Sequence, residues 1–185
     1  MRFTRFSALM FVGTMAVFGS GAMLPSDAAD SKGSAAGQAV SGEYKLQVPF
    51  GLDGDSAVIP ADNPLTKDKV ELGRLLFFDK RLSKDNTIAC ASCHLSKFAF
   101  TDGQRVSAGI RGQKGGRSAP ASFNRVFSKA QFWDGRAATL EEQSVGPFAN
   151  PIEHGFANHD EMIAKMKKIP GYRKLFKEVF GEEIT

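Results

Sequence analysis

Cys90 and Cys93 stand three residues apart, and His94 follows directly, in the run Cys90-Ala91-Ser92-Cys93-His94. Two thiols and an imidazole at this spacing fit covalent attachment of a c-type haem. Residues i and i+3 share a face of a helical turn, so both sulfurs can reach the two vinyl groups along one porphyrin edge. The next residue, His94, then brings its imidazole under the ring as the iron ligand. Other chemistries use Cys-x-x-Cys as well. A thioredoxin-type dithiol belongs in an alternating strand and helix pattern, which this sequence lacks. A zinc site could recruit His154 and His159, whose spacing suits the second half of a Cys2His2 finger. The gap between those halves, however, far exceeds the ~12–15 residues of a finger. A disulfide between the two cysteines is the remaining alternative.

Iron held from one side by His94 leaves its other side to be accounted for. Electron-transfer cytochromes fill the sixth position, often with Met. Past the N-terminal segment the candidates are Met162, Met166, His154 and His159. Met162 and Met166 lie four apart, along with Ile163 and Ile169, a pattern that also describes a core-facing helix. With an open sixth position the chemistry changes. Cleaving a peroxide needs a base that takes a proton from one oxygen and returns it to the departing one. Glu153, in the turn Pro151-Ile152-Glu153-His154-Gly155, is a candidate base, although a turn glutamate is equally an ordinary surface residue.

These groups must be positioned by a chain of 185 residues, enough for one domain with a tail. Hydrophobic residues make up 42% and charged ones 24%, so a packed core is the default rather than disorder. A net charge of +4 is too mild to suggest nucleic acid, and Lys165, Lys167 and Lys168 read as a solvated helix face. Arg2 and Arg5 precede an uncharged run from Phe6 to Phe18, and Ser26-Asp27-Ala28 fits signal-peptidase cleavage. Residues 1–28 therefore read as a cleaved signal and the protein as periplasmic, the side of the membrane where c-type haems are attached.

Residues 29–58 read as a flexible leader followed by an extended segment, and 59–185 as the haem domain. Thr66 caps a helix expected to run to Phe78, and a haem-binding helix is expected over 87–95. The glycine-rich stretch 97–118 reads as a long loop. Pro120 can open a short helix to Phe127. Thr139 with Glu142 and Asn158 with Glu161 form capping boxes. The first opens a helix ended by Gly146-Pro147, and the second opens the helix 159–168. A last amphipathic helix is expected over 171–180. No segment alternates at period two, so the fold is expected to be all-α, a cytochrome c-like helical domain around one covalent haem.

From about Leu72 to Phe180 the sequence resembles the N-terminal haem domain of bacterial di-haem cytochrome c peroxidases, the family that includes the MauG-type enzymes. The resemblance is carried by Leu72-Gly73-Arg74-Leu75-Leu76-Phe77-Phe78-Asp79, the haem motif, Phe100-Thr101-Asp102-Gly103 and Gln131-Phe132-Trp133-Asp134-Gly135-Arg136-Ala137. It continues through Leu140-Glu141-Glu142-Gln143, Gly146-Pro147, Asn150-Pro151-Ile152-Glu153 and Ile169-Pro170-Gly171-Tyr172. It implies that Cys90 and Cys93 hold a peroxidatic haem and that His94 ligates its iron. Glu153 would be the distal acid–base residue, with Gln143, Pro147 and Phe132 lining the pocket. Trp133 would lie on the electron route to a second haem. The implied activity is reduction of hydrogen peroxide to water, with electrons from a small cytochrome c or a cupredoxin. Homodimers are implied for the full-length family.

The sequence departs from the family pattern in three places. Many members carry a histidine in the glycine-rich loop that blocks the iron until reduction; here the loop reads Ser107-Ala108-Gly109-Ile110-Arg111-Gly112, which implies an open iron. Ser118 follows Arg117 where the family has an asparagine that helps bind calcium, so the grounds for calcium are weak. The family's second Cys-x-x-Cys-His does not occur before Thr185. The expectation is a truncated product of a roughly double-length enzyme, with poor turnover from protein donors. The rival readings are a mono-haem electron-transfer cytochrome with Met162, Met166 or His154 as sixth ligand, and an inactive binding or structural module.

Overall fold

A computed structural model describes residues 42–185, so the signal and most of the leader fall outside the described residues. Five α-helices order the described residues: α1 (Lys67–Phe78), α2 (Cys90–Cys93), α3 (Leu140–Val145), α4 (His159–Lys167) and α5 (Pro170–Phe180). Short 3-10 turns join them, and among the described residues pairing between extended segments is limited to isolated bridges such as Glu43 with Thr66 and Gln131 with Ala137. The described residues are therefore all-α. None of their helices is long and apolar enough to cross a membrane.

Local chemistry sets the helix starts. Thr66 Oγ1 accepts from the Lys69 N–H at 3.2 Å, Thr139 Oγ1 from Glu142 at 3.1 Å and Asn158 Oδ1 from Glu161 at 2.9 Å. Each cap satisfies an otherwise orphaned helical N–H, worth about 1 kcal/mol. Glu142 and Glu161 reach back to the N–H groups of Ala138 and Ala157, one residue before the cap itself. Pro170 stands at the first position of α5, where its missing N–H costs nothing.

The core joins Leu72, Leu76 and Phe77 of α1 to Met162, Ile163 and Met166 of α4 and Tyr172 and Phe176 of α5, with Leu140 and Phe148 between. Burying each large apolar side chain contributes about 1.5–3 kcal/mol. α1 packs on both α2 and α5, and α4 packs on α5, so the haem motif rests directly on this core. At one end, Tyr172 Oη donates to Asp79 Oδ2 at 2.6 Å while Arg81 holds the same carboxylate, tying α5 to the end of α1.

Three sequence expectations need correction. The haem-binding helix is only four residues long. Asp85 Oδ1 captures the Thr87 N–H at 3.0 Å in a turn, and Ala89 is extended, so residues 87–89 do not join it. The segment from Pro120 forms no helix before Asn124, whose left-handed φ of 58° leads into a single 3-10 turn, Arg125–Phe127. Gly146-Pro147 ends α3 but not the spiral, which tightens into the 3-10 turn Gly146–Ala149.

Candidate active site

His94 leaves α2 with non-helical dihedrals, and its Nδ1 lies 2.9 Å from the Phe100 carbonyl. A carbonyl only accepts, so Nδ1 carries the hydrogen and Nε2 is the basic nitrogen, the form a metal ligand needs. Burial pushes the His94 pKa down, keeping the ring neutral. The Phe100 carbonyl is turned toward the ring by two successive left-handed residues, Ala99 and Phe100, at φ 53° and 57°. That conformation costs roughly 1–2 kcal/mol per residue. Bonds from the Leu95 N–H to Thr101 and from the Phe100 N–H to Leu95, both 2.9 Å, hold the loop closed.

The two cysteines are not linked to each other. Burial, with the Glu153 charge adding to it, pushes the Cys90 thiol up to about 12. Burial, followed by the charges of Asp102 and Glu153, pushes Cys93 up to about 11. Such thiols stay protonated at neutral pH, the opposite of the lowered pKa that a redox dithiol needs. Nor does a zinc set form, because the His159 ring is bonded to the Val145 carbonyl at 2.9 Å. Among the described residues, no three His, Cys, Asp or Glu side chains gather as a metal cluster.

Across from the motif, a turn presents Glu153. Asn150 organises it: Oδ1 accepts from the Ile152 N–H at 2.9 Å, and Nδ2 donates to Glu153 Oε1 at 2.7 Å. The glycine-rich loop docks on the same turn, with the Ile110 N–H 3.0 Å from the Ile152 carbonyl and 3.3 Å from that of Glu153. A Cβ at Gly109 would collide with the Ile152 carbonyl, so only glycine allows this approach. Glu153 faces open cavity space yet is surrounded by protein. The resulting desolvation raises its pKa, against the opposing pull of Arg136 and Asn150.

The eight site residues expected from sequence (Cys90, Cys93, His94, Phe132, Trp133, Gln143, Pro147 and Glu153) all line one cavity of about 480 Å³. That volume falls in the ~300–1,000 Å³ range of cofactor and ligand sites. Phe132, left-handed at φ 67°, lies under the Arg136 guanidinium at 3.5 Å. Trp133 sits at the rim, 63% exposed, its Nε1 donating to the Ser118 carbonyl at 2.9 Å.

The candidate sixth ligands do not gather at this cavity. Met162 and Met166 are buried in the hydrophobic core and do not line it. His154 does line it, but its Nδ1 donates to the Leu82 carbonyl at 2.8 Å and its Nε2 lies 4.0 Å from the Cys90 sulfur.

The residues present fit a haem. Gln143 Oε1 and Ser122 Oγ are buried on the cavity wall with no partner, and each such orphan costs about 1–3 kcal/mol unless a guest satisfies it. Sequence reasoning missed Phe100, Asn150 and Arg136 as contributors. Asn150 had a usable signal, an Asx turn three residues before the glutamate. Phe100 had none, because it acts through its backbone.

Residues 67–185 match the family model described as di-haem cytochrome c peroxidase. The chain is 47% identical over 132 residues to "Cytochrome c peroxidase Ccp" of Escherichia coli (strain K12), an alignment covering 69% of this chain and 28% of that protein. It is 44% identical over 128 residues to "Cytochrome c551 peroxidase" of Nitrosomonas europaea, covering 69% and 38%. A solved structure of a MauG-like protein associated with microbial copper homeostasis superposes with a TM-score of 0.67 at 37% identity, covering 77% of this chain and 42% of that one. The chain thus spans 28% to 38% of the length of these two curated relatives.

Proposed function

This chain belongs to the di-haem cytochrome c peroxidase family, and we propose that residues 59–185 form a periplasmic c-type haem domain that reduces hydrogen peroxide to water. Electrons would come from a small cytochrome c or a cupredoxin. The observation that carries this reading is the single cavity in which the thiols and imidazole of the haem motif meet a raised-pKa carboxylate and an unpartnered amide oxygen.

A haem bound there would supply the iron and relay the donor's electrons for cleaving the oxygen–oxygen bond. The chain's own residues do the rest. Cys90 and Cys93 would tether the group by adding their S–H bonds across its vinyls, a step without net oxidation. His94, oriented by the Phe100 carbonyl, would hold its iron. Glu153 takes a proton from the attacking peroxide oxygen and delivers it to the departing one, and two electrons with two further protons complete two waters. Because Asn150 holds Oε1, Oε2 is the oxygen left to move that proton. A carboxyl pKa raised toward neutrality favours transfer in both directions. Gln143 Oε1 can accept the peroxide O–H, and Phe132 and Pro147 restrict the space.

Replacing Glu153 with Gln in the haem-loaded protein tests this reading. The rate of reaction with hydrogen peroxide is expected to fall by about 10²–10⁴, with haem content and spin state unchanged. An unaltered rate would remove Glu153 from the acid–base role.

A further inference from the structure

Five charged side chains line the cavity: Arg117, Arg125 and Arg136 against Asp134 and Glu153. Two of the cations are already matched. Arg117 Nη1 and Arg136 Nη1 share the Asp134 carboxylate at 2.8 and 2.9 Å, and Arg136 also acts on Glu153.

Arg125 differs from both. Its Nε and Nη2 donate to Gln131 Oε1 at 3.0 and 2.8 Å, and Nη2 donates to the Ala130 carbonyl at 3.0 Å. These acceptors are all neutral. Burial alone moves its pKa, downward, with no anion opposing it. Gln131 is itself buried and anchored, its Nε2 donating to the Ser128 carbonyl at 3.1 Å, so the guanidinium is held in a fixed direction. Three residues earlier, the buried Ser122 hydroxyl lines the same cavity without a partner. One short segment therefore brings a half-buried cation lacking an anion and a hydroxyl lacking a partner to the same cavity, and both are costly unless a guest completes them.

We propose that Arg125, with Ser122 Oγ as a second donor, receives a propionate carboxylate of the haem. The planar guanidinium matches a carboxylate better than any other side chain does. Cys90 and Cys93 anchor the vinyl edge, and the propionates are the negative groups at the other end of the ring. Pairing one of them cancels a negative charge near the iron. That raises the reduction potential and lowers the pKa of the paired propionate. The inference rests on the haem reading above and not on the peroxide chemistry.

Spectroelectrochemical titration of the haem-loaded protein across pH tests it, comparing wild type with Arg125→Gln, Arg125→Lys and Ser122→Ala. Arg125→Gln is expected to lower the midpoint potential and to move the propionate-linked pH dependence to higher pH. Arg125→Lys should keep most of the wild-type behaviour, and Ser122→Ala should give a smaller shift in the direction of Arg125→Gln. A fully loaded Arg125→Gln protein with unchanged potential and pH profile would overturn the assignment. If that variant does not accumulate, NMR of the reduced, carbon monoxide-bound wild-type holoprotein, which is diamagnetic, decides. Cross-peaks between the Arg125 δ-methylene and a propionate methylene support the pairing, and their absence overturns it. A wild-type protein carrying no covalent haem would overturn the haem reading and this inference together, whereas the unchanged potential overturns this inference alone.

Discussion

Glu153 faces cavity space inside a protein environment that disfavours its charge, with Asn150 and Arg136 pulling the other way. Desolvation wins, so the folded pKa lies above the unfolded one. The native state then holds its proton more tightly than the unfolded state, and stability from this group is present below the ordinary glutamate pKa of about 4.3 and is lost as pH rises through the folded value. Glu153→Gln removes that loss. In urea unfolding of the haem-loaded protein, the variant should match wild type near pH 4 and be the more stable at pH 7. A Gln variant that is less stable at pH 7 would show that the carboxylate is a structural ion and not a strained functional one.

At the level of elements, the glycine-rich loop and the Glu153 turn act as one unit. Gly109→Ala must push them apart, because the obstacle is the Ile152 backbone and not a flexible side chain. The expected cost is about 1–3 kcal/mol of stability, together with a slower peroxide reaction. In a Glu153→Gln background the same substitution should slow the reaction no further, since neighbours acting through one group are not additive. A full additional loss would mean the loop acts independently of Glu153. The helix starts at Thr66, Thr139 and Asn158 were legible in the sequence because each depends on a side chain bonding within three residues. The eight residues brought to one cavity were legible through spacing and family resemblance rather than through packing. The short α2 and the non-helical run before Asn124 were not legible, because a turn bond at Asp85 and a left-handed residue at Asn124 override helical propensity there. The left-handed pair Ala99 and Phe100 carries no sequence mark at all, since neither is a residue that favours that conformation.

At the scale of the whole molecule, the cavity is assembled from segments far apart in sequence, with the haem motif on one wall and the Glu153 turn, α3 and the Phe132–Arg136 stretch on others. α1, α4 and α5 form the scaffold beneath the motif and contribute few groups to the chemistry. Trp133 stands exposed at the rim. The core placement of Met162 and Met166 keeps them out of the cavity that His94 shares with Glu153 and Gln143, and on that arrangement the peroxidase reading depends. The most direct test is to mix the oxidised, haem-loaded protein with hydrogen peroxide in a stopped-flow spectrometer. High-spin ferric iron that reacts rapidly with peroxide is the predicted result. A low-spin spectrum of Met or His ligation, unchanged by peroxide, would contradict the account.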